Sequence, residues 1–229
     1  MQLKEIYLPI ERELTKVGQL LKISLDDERN KTISEIGNYL LAAKGKRLRP
    51  ALVLLCAKAS QESKSTRYKS LNINSQLIKI AAAVELIHMA SLIHDDVIDH
   101  ASLRHNKPTI NAKCGQDVSI ALGDYLYSKA FELISSCGNM DILSCISSAT
   151  RLMCEGELIQ VCERDNLDLL KERYIVIVKK KTAFLFAASC LSGAMFSHCP
   201  GHIQFALKQY GLNFGIAFQI IDDCLDLIS

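Results

Sequence analysis

At 229 residues the chain is long enough to bury a sizeable core and short enough to be one domain. Hydrophobic residues make up 49% and charged residues 23%, which excludes a disordered or low-complexity chain. A net charge of +2 is too small for a general nucleic-acid binder, so no nucleic-acid partner is expected and any basic site must be a local cluster.

Prolines occur only at 9, 50, 108 and 200, and the intervals between them carry Leu, Ile, Ala, Lys and Glu at helical spacing. The chain reads as all-α. Helices are predicted at 3–24, 27–43, 48–60, 75–99, 116–136, 140–163, 168–180, 182–197 and 202–228. Loops are predicted at 61–74, rich in Ser, Lys and Asn, and at 100–115, which carries Pro108, Asn111 and Gly115. No linker and no repeat of solenoid period interrupts this order, so a single domain over 1–229 is expected. The nine cysteines are an odd number with no CxxC pair, and they read as reduced thiols used as small hydrophobes. The longest run without Asp, Glu, Lys or Arg, Thr182 to Leu207, is broken by His198, Pro200, Gly201 and His202 before the ~20 apolar residues of a membrane span accumulate. No targeting segment is read, and the expectation is a cytoplasmic protein with no transmembrane segment and at most peripheral membrane contact.

Two apolar helices end in the same pattern, D-D-x-x-D: Asp95, Asp96 and Asp99 after "IAAAVELIHMASLIH", and Asp222, Asp223 and Asp226 after "GIAFQII". On a helix the first and third Asp of each set share a face, with the middle one about 100° around. Two like charges ~5 Å apart repel by roughly 3 kcal/mol at an effective dielectric of ~20, so such a cluster needs solvent or bound cations. A single acidic helix end reads best as solvated surface. Two such sets behind strongly apolar runs, where carboxylates oppose the helix dipole, favour hard divalent cations. Oxygen-only ligation with spare positions suits magnesium carrying a phosphate or diphosphate.

With both clusters in place, the stretch from Lys44 to Asp226 resembles the trans-isoprenyl diphosphate synthases, or polyprenyl synthetases, of the medium- to long-chain type. "KGKRLRP" (Lys44 to Pro50) resembles the family's G-G-K-R-x-R-P motif, with Lys44 where glycine is usual. His88 lies seven residues before Asp95, where the family has a homoallylic-substrate ligand. "LRHNKPTIN", "KTAFLFAA" (Lys181 to Ala188) and "AFQIIDDCLD" resemble its L-R-R-x-K-P-T, K-T-A-x-L-F and second aspartate motifs. Any one match is weak; six in the right order are specific.

The resemblance implies an all-α bundle of about nine to ten helices around a deep central cavity. It implies head-to-tail condensation of isopentenyl diphosphate onto an allylic prenyl diphosphate, of farnesyl or geranylgeranyl length, in a homodimer. On that basis Asp95, Asp96, Asp99, Asp222, Asp223 and Asp226 would face one another across the cavity mouth and hold Mg2+ on the allylic diphosphate. Arg104 and Lys181 would assist there, and Thr182 and Gln219 would line the allylic site. Lys46, Arg49 and His88 would hold isopentenyl diphosphate, Arg through its planar fork and Lys as a point charge. The proton lost after bond formation would leave with the diphosphate, so no side-chain base is assigned. His105 stands where the family usually has a second arginine, and offers a partial charge and no fork. Solvated basic patch and core histidine are the bland readings of Lys46, Arg47, Arg49 and His88. Cations before an apolar first helical turn, and a His88 within about 20° of Asp95 on the helix, favour the binding roles.

In this family the residues before the first aspartate motif line the product tunnel. Here Ala90 and Ser91 take those positions, with Ile87, Val84 and Ala83 continuing the face and no Phe, Tyr or Trp from Lys69 to Asp124. A medium to long product is predicted. Small residues that merely permit close helix packing are the alternative. The chain stops at Ser229, just after Asp226, where family members continue through further helices. C-terminal helices are therefore expected to be missing, from a longer protein or in a truncated member. Three rivals remain. A non-catalytic subunit of a heteromeric prenyltransferase fits Lys44 and His105 but not two complete aspartate sets. An HD-type metal-dependent phosphohydrolase fits His94 and Asp95 but lacks an upstream histidine. A terpene cyclase would carry a mixed second motif in place of Asp222 to Asp226.

Overall fold

The computed structural model describes residues 2–26, 31–42, 45–62 and 75–228. Lys44, the edges of the helix predicted at 27–43 and most of the loop predicted at 61–74 lie outside the described residues. The chain forms two compact units, Met1–Pro50 with Ile78–Gly138, and Ala51–Leu77 with Asn139–Ser229.

The first unit begins with α1 (Leu3–Tyr7), a single 3₁₀ turn (Leu8–Ile10) and α2 (Glu11–Leu25). The continuous helix predicted over 3–24 is thus broken. Pro9 has no amide proton to donate, and the chain passes through one tighter turn before the helix resumes. Then come α3 (Lys31–Leu41), the start of α4 (Leu48–Glu62), whose Pro50 sits in the first turn where proline is tolerated, and α5 (Ser75–Ile98). By length and composition α5 could cross a membrane, but most of its surface is buried inside the protein, as in a core helix. Ile80, Ala82, Val84, Leu86, Ile87 and Ala90 are all fully buried on it, which explains its lack of a polar face.

The plain loop predicted over 100–115 is more ordered than that. Strands β1 (Leu103–Arg104) and β2 (Lys107–Pro108) pair antiparallel, Leu103 with Pro108 and Arg104 with Lys107. His105 (φ 49°) and Asn106 (φ 59°) make the two-residue turn, the left-handed pair that a tight hairpin requires. Thr109 then caps α6 (Ile110–Cys114), accepting from the Ala112 amide at 3.0 Å. Tyr39 of α3 ties the hairpin down by donating to the Pro108 carbonyl at 2.7 Å, with Lys113 3.8 Å above its ring. The unit closes with α7 (Gln116–Ser135), which α5 meets through His94 and the Ile120 carbonyl, 3.2 Å apart. Gly123 faces that imidazole, and a methyl group there would overlap it.

In the second unit, α8 (Met140–Cys162) and α9 (Leu167–Val178) start at asparagine caps, Asn139 accepting from Ile142 at 3.0 Å and Asn166 from Leu169 at 3.1 Å. A π turn (Lys179–Ala183) joins α9 to α10 (Phe184–Phe196), and α11 (Gly201–Asp226) follows. The two helices predicted at 168–180 and 182–197 therefore run on through one widened turn. Helix α10 is apolar all round and packs on α8 and α11. Phe186 is fully buried at its centre, 5.3 Å from the Phe214 ring edge-on and 5.5 Å from Phe218. Close approach of α11 needs Gly215, where a Cβ would lie 2.6 Å from the Ala183 Cα.

Candidate active site

The first aspartate set closes α5. Asp96 is 6% exposed, Asp95 half-buried and Asp99 exposed, so the middle carboxylate points into the protein and the outer two share the other face. Arg104, carried by β1, donates to Asp96 Oδ1 from Nε at 2.9 Å and from Nη2 at 2.8 Å. The hairpin therefore exists at the right place to supply a fixed cation to a buried carboxylate. His105, at the exposed turn tip, does not share that contact.

A basic cluster lies around one buried carboxyl, Glu85 of α5. Burial pushes the Glu85 carboxyl above its ordinary range, and Arg49 and Arg47 oppose that shift. Arg49, 8% exposed, is lowered to about 10 by burial, with Glu85 working the other way. His88, half-buried and one turn further along α5, is driven well below its usual value by burial and then by Arg49 and Arg104. It is therefore neutral at pH 7. Tyr7 donates to the Lys46 carbonyl at 2.7 Å, which fixes the backbone beside the exposed Lys46 side chain. Its hydroxyl is raised to about 12 by burial and by Glu85. Arg49 and Arg104, remote in sequence, thus both act on His88. With Arg104 paired to Asp96, Arg47 and Arg49 still outnumber the Glu85 carboxyl they face. Such a surplus suits a bound anion. Sequence reading missed Glu85 and Tyr7; the one local signal was Glu85 lying three residues before His88 on the same helix face.

The second set closes α11. Asp222 and Asp226 are exposed and Asp223 is half-buried. Both oxygens of Asp223 are engaged: Gln219 Nε2 donates to Oδ1 at 2.7 Å and the Tyr174 hydroxyl to Oδ2 at 2.5 Å. Thr182 in turn donates to Gln219 Oε1 at 2.7 Å. Tyr174 is raised to about 12, first by burial and then by its bond to Asp223. Two of the three consecutive lysines separate by partner. Lys180 pairs with Glu155 at 2.8 Å, while Lys181 lies 2.5 Å from Glu157 and 3.3 Å from Gln160 on α8. Tyr174 and Glu157 had no signal in the sequence. Of the proposed tunnel residues, Val84, Ile87 and Ala90 are fully buried, and Ser91 is half-buried with its hydroxyl donating to the His88 carbonyl at 2.8 Å.

Among the described residues no three His, Cys, Asp or Glu side chains converge into a ready metal cage. The donors on offer are carboxylates at helical i, i+4 spacing, Asp95 with Asp99 and Asp222 with Asp226, open to solvent on one side. Such a set fits magnesium, which keeps several waters and takes its other ligands from substrate phosphates.

An all-α fold, two helix ends with paired outer carboxylates, and a surplus of cations beside the first define a protein of the isoprenoid-synthase class. Residues 30–229 match the polyprenyl synthetase family, and the chain belongs to it. The octaprenyl diphosphate synthase of Escherichia coli (strain K12) is 34% identical over 194 residues, covering 85% of this chain and 57% of that protein. Heptaprenyl diphosphate synthase component 2 of Geobacillus stearothermophilus is 36% identical over 226 residues, covering 99% of this chain and 67% of that protein. The crystal structure of a polyprenyl synthase from Caulobacter crescentus CB15 complexed with calcium and isoprenyl diphosphate superposes with a TM-score of 0.89 at 34% identity, over 98% of this chain and 65% of that one. The chain thus spans between about half and two thirds of the length of these relatives.

Proposed function

We propose that the chain carries the substrate-binding and catalytic region of a trans-polyprenyl diphosphate synthase, which adds isopentenyl diphosphate to an allylic diphosphate of farnesyl or geranylgeranyl length. The observation that carries the reading is the pair of acidic helix ends, each with two outer carboxylates at i, i+4 spacing and a middle one held by side-chain donors. Asp95, Asp99, Asp222 and Asp226 are the groups that hold Mg2+, with Asp96 and Asp223 completing each set. Magnesium, when bound, neutralises the charge that builds on the departing diphosphate. Arg104 adds a fixed positive charge beside Asp96, and Lys181 a second one once it leaves Glu157. Lys46, Arg49 and neutral His88 bind the diphosphate of the isopentenyl substrate, His88 as a hydrogen-bonding group rather than a charge. Thr182 and Gln219, already bonded to each other, border the allylic substrate. His105 replaces a forked cation and weakens the grip on isopentenyl diphosphate. The relatives' names support a medium or long product, and the small, buried Ala90 together with Ser91, Ile87 and Val84 agree with it.

The proposed setting is a single polyprenyl synthetase domain acting as a homodimer in the cytoplasm. The relative named component 2 of a heptaprenyl diphosphate synthase supports a second reading, in which this chain works beside a different subunit. Release of inorganic diphosphate from farnesyl diphosphate tests the reaction class. Release that needs both isopentenyl diphosphate and magnesium supports prenyl transfer. Release without isopentenyl diphosphate points to a hydrolase and overturns it.

A further inference from the structure

Tyr174 belongs to none of the motifs that identify the family in this sequence, yet its hydroxyl reaches from α9 to Asp223 Oδ2 at 2.5 Å. Gln219 takes the other oxygen at 2.7 Å and is itself held by Thr182 at 2.7 Å. The result is one hydrogen-bonded row, Thr182 to Gln219 to Asp223 to Tyr174, tying the last turns of α11 to the helix beside it.

The π turn explains how two residues of that helix reach the same neighbour. Eight residues separate Tyr174 from Thr182, and on an unbroken α-helix they would sit about 80° apart. A turn closed by i→i+5 bonds holds one extra residue and removes roughly 100° of rotation, which brings the two to within about 20°. Lys179–Ala183 is that turn, and Thr182 lies near its end. Tyr174 and Thr182 therefore project to one side, spaced to meet Asp223 and Gln219, which are one turn apart on α11.

We infer that Tyr174 is a positioning residue for the second aspartate set: by holding Asp223, it fixes the last turn of α11 and thereby aims Asp222 and Asp226 at the cation. The need is physical. The end of a helix frays, and carboxylates there oppose the helix dipole, so three of them in one turn require donors from outside the helix. Tyr174 gives such a donor to the only one of the three that is half-buried, and leaves the two exposed carboxylates free for metal. Outer hydrogen-bond partners of this kind orient metal ligands, and their loss weakens metal affinity by about 10- to 100-fold. The inference rests on the proposal that the second set holds magnesium.

The test compares the full chain with Y174F, D223N and Y174F/D223N. Two quantities are read: the magnesium concentration giving half the rise in melting temperature in the presence of inorganic diphosphate, and that giving half-maximal prenyl transfer. Y174F should melt with the parent in the absence of metal, need about tenfold more magnesium in both assays, and approach the parent rate at saturating magnesium. In the D223N background the same change should add nothing. A Y174F protein with the parent's magnesium dependence, or effects of Y174F and D223N that add independently, overturns the positioning role. If the parent itself shows neither a magnesium-dependent shift nor prenyl transfer, the functional proposal fails first and this one with it.

Discussion

Arg104→Ala is the most informative single change in the first unit. It removes two charge-assisted hydrogen bonds, at 2.9 and 2.8 Å, from a carboxylate that is only 6% exposed. Breaking a fully buried pair from one side costs about 3–5 kcal/mol, because the remaining charge is stranded. The Arg104 side chain is 38% exposed, however, so water screens part of the pair and refills the space it leaves. The expected loss is about 2 kcal/mol, close to one strong charged hydrogen bond. With a urea slope of about 2 kcal/mol per molar, the unfolding midpoint should drop by roughly 1 M. Arg104→Lys should recover little, since lysine cannot reproduce donation from two nitrogens of one planar group. Asp96→Asn alone and combined with Arg104→Ala closes a double-mutant cycle by urea unfolding. A coupling of about 1–2 kcal/mol is expected, and a coupling below about 0.3 kcal/mol would refute the view that the hairpin exists to serve this carboxylate.

Phe186→Ala should cost about 3–5 kcal/mol, read by thermal or urea melting, because a fully buried ring against Phe214 and Phe218 is replaced by a cavity. His88 has a depressed pKa in the folded chain, so the unfolded chain binds more protons below about pH 6.5 and stability falls as pH drops through that value. His88→Gln should flatten that fall between about pH 7 and pH 5; an unchanged slope would place the effect on another group. Ala90→Phe, at a position with no exposure, should shorten the product and cost about 1–3 kcal/mol of stability. Products of parental length from a folded A90F protein would remove Ala90 from the tunnel.

The helices could be read from spacing because each buries an apolar face whose period is local. The two aspartate sets could be read for the same reason, since i, i+4 geometry follows from the helix alone. What escaped depends on turns without strong local signals or on partners far along the chain. Pro9 permits either a helix start or a break, and the 3₁₀ turn decides. His105 and Asn106 make a tight hairpin without the usual Asn-Gly pair, so β1 and β2 were hidden inside a predicted loop. The different duties of Asp96 and Asp95 were hidden with them, because Arg104 lies on that hairpin. The π turn hid the alignment of Tyr174 with Thr182, and nothing near Lys179, Lys180 or Lys181 says which lysine meets Glu157. Family resemblance supplied the roles of Lys46, Arg49 and His88; the structure adds the buried Glu85 as the counter-charge of Arg49, with Arg47 also acting on it.

The most direct measurement is chromatography of the products formed by this protein from labelled isopentenyl diphosphate, farnesyl diphosphate and magnesium. Label should appear in prenyl diphosphates longer than geranylgeranyl and be lost when Asp95 or Asp222 is replaced by asparagine. Label that stays in isopentenyl diphosphate would contradict the proposed prenyl transfer.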